Sequence, residues 1–582
     1  MSGAVDPPID GGPRAPALRR RIDLQPAIIA VCAVAVAYLA LVPLGFLLWQ
    51  SFFTPHTATR AAELTLQNYV AAYSSRETVR LFLTSAGFAA GTAVFALALG
   101  TVLAWLNERT NMPCKRLFFG LALVPLIIPA VLFTVAWILL ASPKIGLVNL
   151  ALQRWFDTDR VFVNVYSLGG MIWVEGLHYS PLAFLFMTAA FRSMDPALEE
   201  SAAMSGASRF QVLRRVTLQL ARPALLAAAL ILFVRAIEAF EVPALLGLPA
   251  GIHVFTSAIY AALHRYPSQV GLAAAYGVTL LVLTSAGLYL QSRLTGGENR
   301  YSTVTGKGFR PRPIDLGRLR YLAAAGFVGY FLVIVAAPFL VLAWSSLQKF
   351  YSVPSAEAFR NLSFDAYRFV LGHPALGRAV LNSLLLAVGT ATTIMLLTAV
   401  ICWVVVKTRI RGRRLLDQIA SLPLVFPGLV LGLAIMIFYL NFDIGIYGTL
   451  WIMFVAYVTR FLPYGLRYNT ASMLQIHTEL EESAAMSGAS WGAVFRRIVL
   501  PLLKPGLLAG WIYIAIVSVR ELAASVLLYS PGTEVVSILI WELWENGQYV
   551  ELSALGVMLI VALFALVQLA QLAGSRFGIR EA

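Results

Sequence analysis

The sequence predicts an all-α integral membrane protein in which about twelve transmembrane helices form two parallel six-helix repeats. Three observations carry that prediction. Apolar runs of roughly 20 residues, long enough to cross a hydrocarbon core, recur about a dozen times along the 582 residues. A polar segment, Leu198-Glu-Glu-Ser-Ala-Ala-Met-Ser-Gly-Ala-Ser208, returns letter for letter as Leu480–Ser490, 282 positions later. The basic residues gather in alternate loops, as the positive-inside bias requires.

The spans fall near 27–51, 80–106, 117–141, 167–192, 224–247 and 270–293, then 321–347, 380–406, 415–440, 447–472, 506–529 and 551–577. Hydrophobic residues make up 59 % of the chain and charged residues 13 %, with mean hydropathy +0.77; soluble domains carry about a quarter charged residues. With the N-terminus inside, Arg19-Arg20-Arg21, Arg109, Lys115, Arg116, both polar segments, the linker and Lys407–Arg414 are all cytoplasmic. About 30 of the 44 Lys and Arg then lie inside. The net charge of +15 is therefore a topology signal, and no nucleic-acid partner is expected. Cys32, Cys114 and Cys402 offer neither a disulfide frame nor metal-ligand spacing. Residues 1–25, rich in Pro, Gly and Ala, read as a disordered cytoplasmic tail, and the first apolar run as a retained helix rather than a cleaved signal.

The repeat fixes the domain organisation. Pro43…Trp49…Ser51 recurs as Pro338…Trp344…Ser346, Leu64–Tyr69 as Leu362–Tyr367, and Val124-Pro-Leu-Ile-Ile-Pro129 as Leu422-Pro-Leu-Val-Phe-Pro427. The first half spans 26–293 and the second 321–577; a polar, basic linker covers 294–320, and 578–582 form a C-terminal tail. The first half is longer in its external loop near 142–166. An even number of spans per half makes the repeats parallel, related by an axis along the membrane normal.

Within each half the duplicated segment reads as a helix pair, at about 196–222 and 478–504. Glu199 and Glu200 sit in a first turn, where the helix dipole favours acids. Gly206 stops that helix and Ser208 can cap a second one through Leu220, after which Pro223 opens the next span. An amphipathic interfacial loop would also fit one copy; two copies at equivalent places point to docking.

The pattern Glu200-Ser-Ala…Gly206…Val216-Thr-Leu218, and more fully Glu482-Ser-Ala…Gly488…Ile498-Val-Leu-Pro501, resembles the coupling motif of permease subunits of ATP-binding-cassette importers. The first copy departs from it, with Gln219 where the family has proline. The resemblance covers residues 25 to 577. It implies a type I importer permease fold in which Glu199, Glu200, Gly206 and Arg215, and likewise Glu481, Glu482, Gly488 and Arg497, couple to two copies of an ABC ATPase subunit. The acids and Arg215/Arg497 would hold that socket in charge register. A periplasmic solute-binding protein and membrane lipid would be the other partners, in a bacterial inner membrane with both termini cytoplasmic. No phosphate-cradling Gly-x4-Gly-Lys-Ser/Thr loop occurs in the chain. The chain is thus expected to be no enzyme and to hold no cofactor, with ATP and Mg bound by the partner.

A permease with both halves fused looks most like the ferric-iron branch, and Arg235-Ala-Ile-Glu-Ala-Phe-Glu-Val-Pro243 resembles that branch in particular. The spacing places Glu238 and Glu241 on one helix face with Arg235. Two hard carboxylates suit a hard cation as transient iron contacts, and Arg520 with Glu521 stands at matching depth in the other half. These charges line a candidate translocation path, or else only neutralise one another. Arg460 and Glu175 are expected near membrane surfaces, and no firm metal site is expected. His56, His253, His264 and His373 are scattered. Thiamine or another small solute (polyamine, phosphonate) remains an alternative substrate, and a major-facilitator-type secondary transporter an alternative machine. An intramembrane enzyme would have only Glu175 with His178 to work with.

Overall fold

The computed structural model describes residues 25–54, 61–74, 76–195, 197–295 and 313–576. Arg19–Arg21, His56, Pro196, both tails beyond these limits and most of the linker lie outside the described residues. Seven helices among the described residues are long and apolar enough to cross a membrane, and up to ten if each bent pair counts as one. The other two expected spans are Leu168–Ser193 and Leu450–Met473, of 26 and 24 residues. They are long enough, but they carry Glu175 and His178, and Arg460 and Arg467, which lower their hydropathy.

Three spans are not the straight rods the apolar runs suggest. Lys115–Ile127 and Ala130–Ala141 meet at 97°, and their counterparts Arg413–Val425 and Gly428–Asn441 at 106°. The repeated Pro-x3-Pro explains both corners. Pro129 and Pro427 disfavour helical backbone in the residue before them, and Ile128 and Phe426 are accordingly extended (ψ 124° and 115°). The span expected at 224–247 also breaks, because Arg222–Glu238 ends at an extended Ala239. Its counterpart Leu500–Val519 ends just before Arg520.

In each half the long helix, Arg76–Arg109 or Leu376–Lys407, packs along Leu168–Ser193 or Leu450–Met473 and is crossed by Arg222–Glu238 or Leu500–Val519. The first helix of each half packs on the last helix of its own half, Val270–Thr295 or Tyr549–Arg576, and also reaches across to the other half. Gln25–Ser51 packs on Gly428–Asn441 of the second half, and Ala337–Ser346 packs on Ala130–Ala141 of the first. The Tyr38 and Tyr439 hydroxyls meet at 2.8 Å across this exchange, and those of Ser180 and Tyr330 at 3.0 Å. Ile314, at the end of the linker, bridges Thr110 beside the C-terminus of Arg76–Arg109.

Candidate functional sites: the coupling elements and the intramembrane charge layer

Each duplicated segment folds as a short helix, a glycine turn and a second helix. Ala197–Met204 ends in a Schellman turn: the Gly206 N–H bonds to the Ala203 carbonyl and the Ala207 N–H to Ala202, at 3.0 and 3.1 Å. Gly206 has φ +84° and Gly488 φ +80°, a left-handed backbone that a side chain disfavours. Ser208 then caps the second helix reciprocally with Gln211, and each second helix contains a π turn, Leu213–Thr217 or Phe495–Val499. The turns present Met204 and Met486, 84 % and 91 % exposed, beside exposed Leu198 and Leu480.

The two acids of each segment part company. Glu199 and Glu481 point inward, whereas Glu200, Glu482, Arg215 and Arg497 are exposed, with no ion pair within 4.0 Å among the described residues. Glu199 is buried, 3.6 Å from the Arg109 guanidinium, which also donates to the Met194 carbonyl at 3.1 Å. In the second half Lys407 stands 3.8 Å from Glu481 and donates to the Ile476 carbonyl. A cation at the end of the long helix thus clasps both the end of the neighbouring span and the start of the docking helix. Local sequence does not mark Arg109 or Lys407 as partners of these acids, because the pairing spans 90 and 74 positions.

Inside the molecule, charges from both halves converge. Arg235 pairs with Glu238 at 3.8 Å and donates to the Tyr464 hydroxyl of the second half. Arg460 pairs with Glu521 at 2.7 Å and lies within Coulombic range of Glu238 and Glu241. Arg520 crosses between the halves, donating to the carbonyls of Leu126 and, at 3.2 Å, Ile128. Those carbonyls are freed by the corner of the first half's broken span. The geometry corrects one expectation. Glu241 does not share a helix face with Arg235 and Glu238, because the helix stops at Glu238 and Glu241 lies beyond the break. Arg460 and Glu175 pack inside the protein: Glu175 is 2 % exposed, and Arg460 fills space left by Gly428, where a Cβ would overlap its guanidinium. The buried Nδ1 of His178 has no hydrogen-bond partner. Among the described residues no group of three or more His, Cys, Asp or Glu could hold a metal ion.

The family model described as binding-protein-dependent transport system inner membrane component matches residues 96–295 and 391–577, once in each half. The chain belongs to this family. Among relatives of this transport-system component, the ferric transport system permease protein FbpB of Actinobacillus pleuropneumoniae is 27 % identical over 409 residues. That match covers 69 % of this chain and 58 % of the relative, so the chain spans a little over half the relative's length. Fe(3+)-transport system permease protein FbpB 2 of Haemophilus influenzae is 24 % identical, covering 80 % of this chain and 84 % of that protein. The spermidine/putrescine permease PotC of Haemophilus influenzae is 24 % identical over 37 % of this chain and 83 % of its own length.

Proposed function

We propose that this chain is the membrane-spanning subunit of an ATP-driven, binding-protein-dependent importer that moves ferric iron inward by alternating access. The observation that carries the mechanism is the pair of glycine-turned helices, each tied by an inward-facing ion pair to the long helix of its own half. A partner closing on Met204, Leu198, Glu200 and Arg215, and on their counterparts Met486, Leu480, Glu482 and Arg497, moves that ion pair and hence the long helix with it. Methionine at the apex suits an adaptable apolar contact. The occupants of the two elements are two copies of a separate ATPase, which binds ATP and Mg; the opposite face receives a solute-binding protein. Both termini are then cytoplasmic.

The substrate rests on the likeness to the two ferric permeases and on the oxygen ligands Glu238 and Glu241 facing the layer between the halves. Ferric iron is cargo here, touched in transit rather than held. The test is uptake of radiolabelled ferric iron into proteoliposomes containing this chain, its ATPase and its binding protein, with thiamine and spermidine in parallel. ATP-dependent iron uptake is expected, reduced at least tenfold by Glu238→Gln with Glu241→Gln in a folded chain. ATP-driven uptake of spermidine or thiamine alone would keep the machine and overturn the cargo; uptake driven by an ion gradient without ATP would overturn the machine.

A further inference from the structure

At the end of the molecule remote from the coupling elements, the two halves treat one corner differently. The correspondence there is fixed by hydrogen bonds: Ser85 accepts from the Phe255 N–H at 3.0 Å, and Ser383 from Val536 at 2.9 Å. Thr256 donates to the Ala239 carbonyl and Ser537 to that of Glu521, both at 2.6 Å. By this register Arg80 matches Arg378, Thr84 matches Asn382, Gly251 matches Gly532 and His253 matches Glu534.

In the second half the corner is filled. Glu534 pairs with Arg378 at 3.2 Å and accepts the Gly532 N–H at 2.8 Å. Asn382 donates to the carbonyls of Gly532 and Glu534. In the first half, His253 replaces that carboxylate and the corner is an open cavity of about 480 Å³ lined by Glu77, Arg80, Thr84, His253, Arg265 and Tyr276, among others. That volume is in the range of small-ligand pockets and exceeds what one side chain fills. Arg80 and Arg265 have no ion-pair partner within 4.0 Å among the described residues. Two guanidiniums and an imidazole against the single carboxylate of Glu77 leave the lining cationic.

We propose that this cavity is a binding site for a small polyanion of the di- or tricarboxylate class, one carboxylate of which lies against Arg80 where the second half uses Glu534. The free carboxylate receives from Arg80 what Glu534 receives from Arg378, and its other charges reach Arg265 and His253. The bidentate fit of guanidinium to carboxylate selects such anions over neutral solutes. The site stands whether or not the cargo is ferric iron.

Isothermal titration of the full chain in nanodiscs with citrate, inorganic phosphate and glycerol tests it. One citrate per chain is expected, phosphate binding more weakly and glycerol not at all. Arg80→Gln should raise the citrate Kd at least tenfold, and His253→Gln by less than threefold. His253→Glu should rebuild the Arg378–Glu534 pair in the first half, abolishing citrate binding with Tm unchanged or raised. No saturable citrate binding by the wild-type chain up to about 10 mM would overturn the proposal. So would citrate binding undiminished in folded Arg80→Gln, which keeps the question decidable if His253→Glu fails to fold.

Discussion

The two halves build the same clasp from different parts. In the first, the Glu199 carboxylate takes its neutral hydrogen bond from the Thr217 hydroxyl at 2.6 Å. In the second, Val499 stands at the threonine's place, and Glu481 takes its bond from the Trp403 indole at 2.7 Å. The first half has an indole at the matching position too, Trp105, but its buried N–H has no partner. The exits differ as well. Phe210–Leu220 meets Arg222–Glu238 at 67°, whereas Trp491–Val519 runs on as one helix, with Leu-Pro501 where the first copy has Leu-Gln219. What the halves share, then, is an inward-facing acid held by a cation from the long helix; the second donor and the exit angle vary around that requirement.

The largest expected effect breaks what is common to both halves. Gly206→Pro with Gly488→Pro demands φ near −65° where the backbone stands at +84° and +80°. ATP-dependent uptake should fall to background while the protein still inserts, as measured by transport and membrane fractionation. Normal uptake would detach these turns from coupling. Next come Arg109→Met, stranding the buried Glu199 carboxylate at a cost of about 3–5 kcal/mol, and Lys407→Met, stranding the half-buried Glu481 at less. Both should lower Tm in nanodiscs, and equal Tm values to wild type would show the clasp to be idle.

A smaller effect separates the halves. Trp403→Phe leaves Glu481 without a neutral donor, because Val499 cannot supply one, at about 1–3 kcal/mol. Thr217→Val should cost less, since the Trp105 indole is free to turn to Glu199. Equal losses would mean that Trp105 cannot reach. Smallest is a pH effect at the closed corner of the second half. Burial alone would raise the Glu534 carboxyl, but the Gly532 N–H and Arg378 outweigh it and hold the group below its ordinary range. Its stabilisation is therefore present above the unfolded value, near 4.3 for glutamate, and is lost as pH falls through the lower folded value. The Tm advantage of wild type over Glu534→Gln should shrink as pH drops below about 4; an advantage constant down to pH about 3 would contradict the assignment.

Much of this architecture was legible in the sequence because it is written locally or written twice. The Gly206 and Gly488 turns, the Pro223 helix start and the parallel halves follow from short-range rules and the repeat. The bends at Ile128 and Phe426 were not read, although Pro125, Pro129 and their copies stood in plain view, because a window of apolar residues has the same hydropathy folded at a right angle or straight. Glu241 was put on the wrong face for a related reason: three-residue spacing implies a shared face only if the helix continues, and Ala239 ends it. Arg460 escaped because the space it needs is made by Gly428, a residue with no charge to announce it. Glu199 and Glu200 look interchangeable in sequence, and only the position of Arg109 tells the buried acid from the exposed one.

The exchange of first helices has a consequence for the order in which the chain can be made. Gln25–Ser51 leaves the ribosome first, yet the surface it covers in the other half, Gly428–Asn441, follows only after close to 400 further residues. At about 5–20 residues per second that helix, packed meanwhile on Val270–Thr295 of its own half, waits on the order of 20 to 80 s for this second surface. The Leu126 and Ile128 carbonyls at the corner likewise wait for Arg520. Fusion of the halves into one polypeptide keeps both waiting surfaces tethered to the segments that will cover them, which two separately synthesised halves would have to find by diffusion.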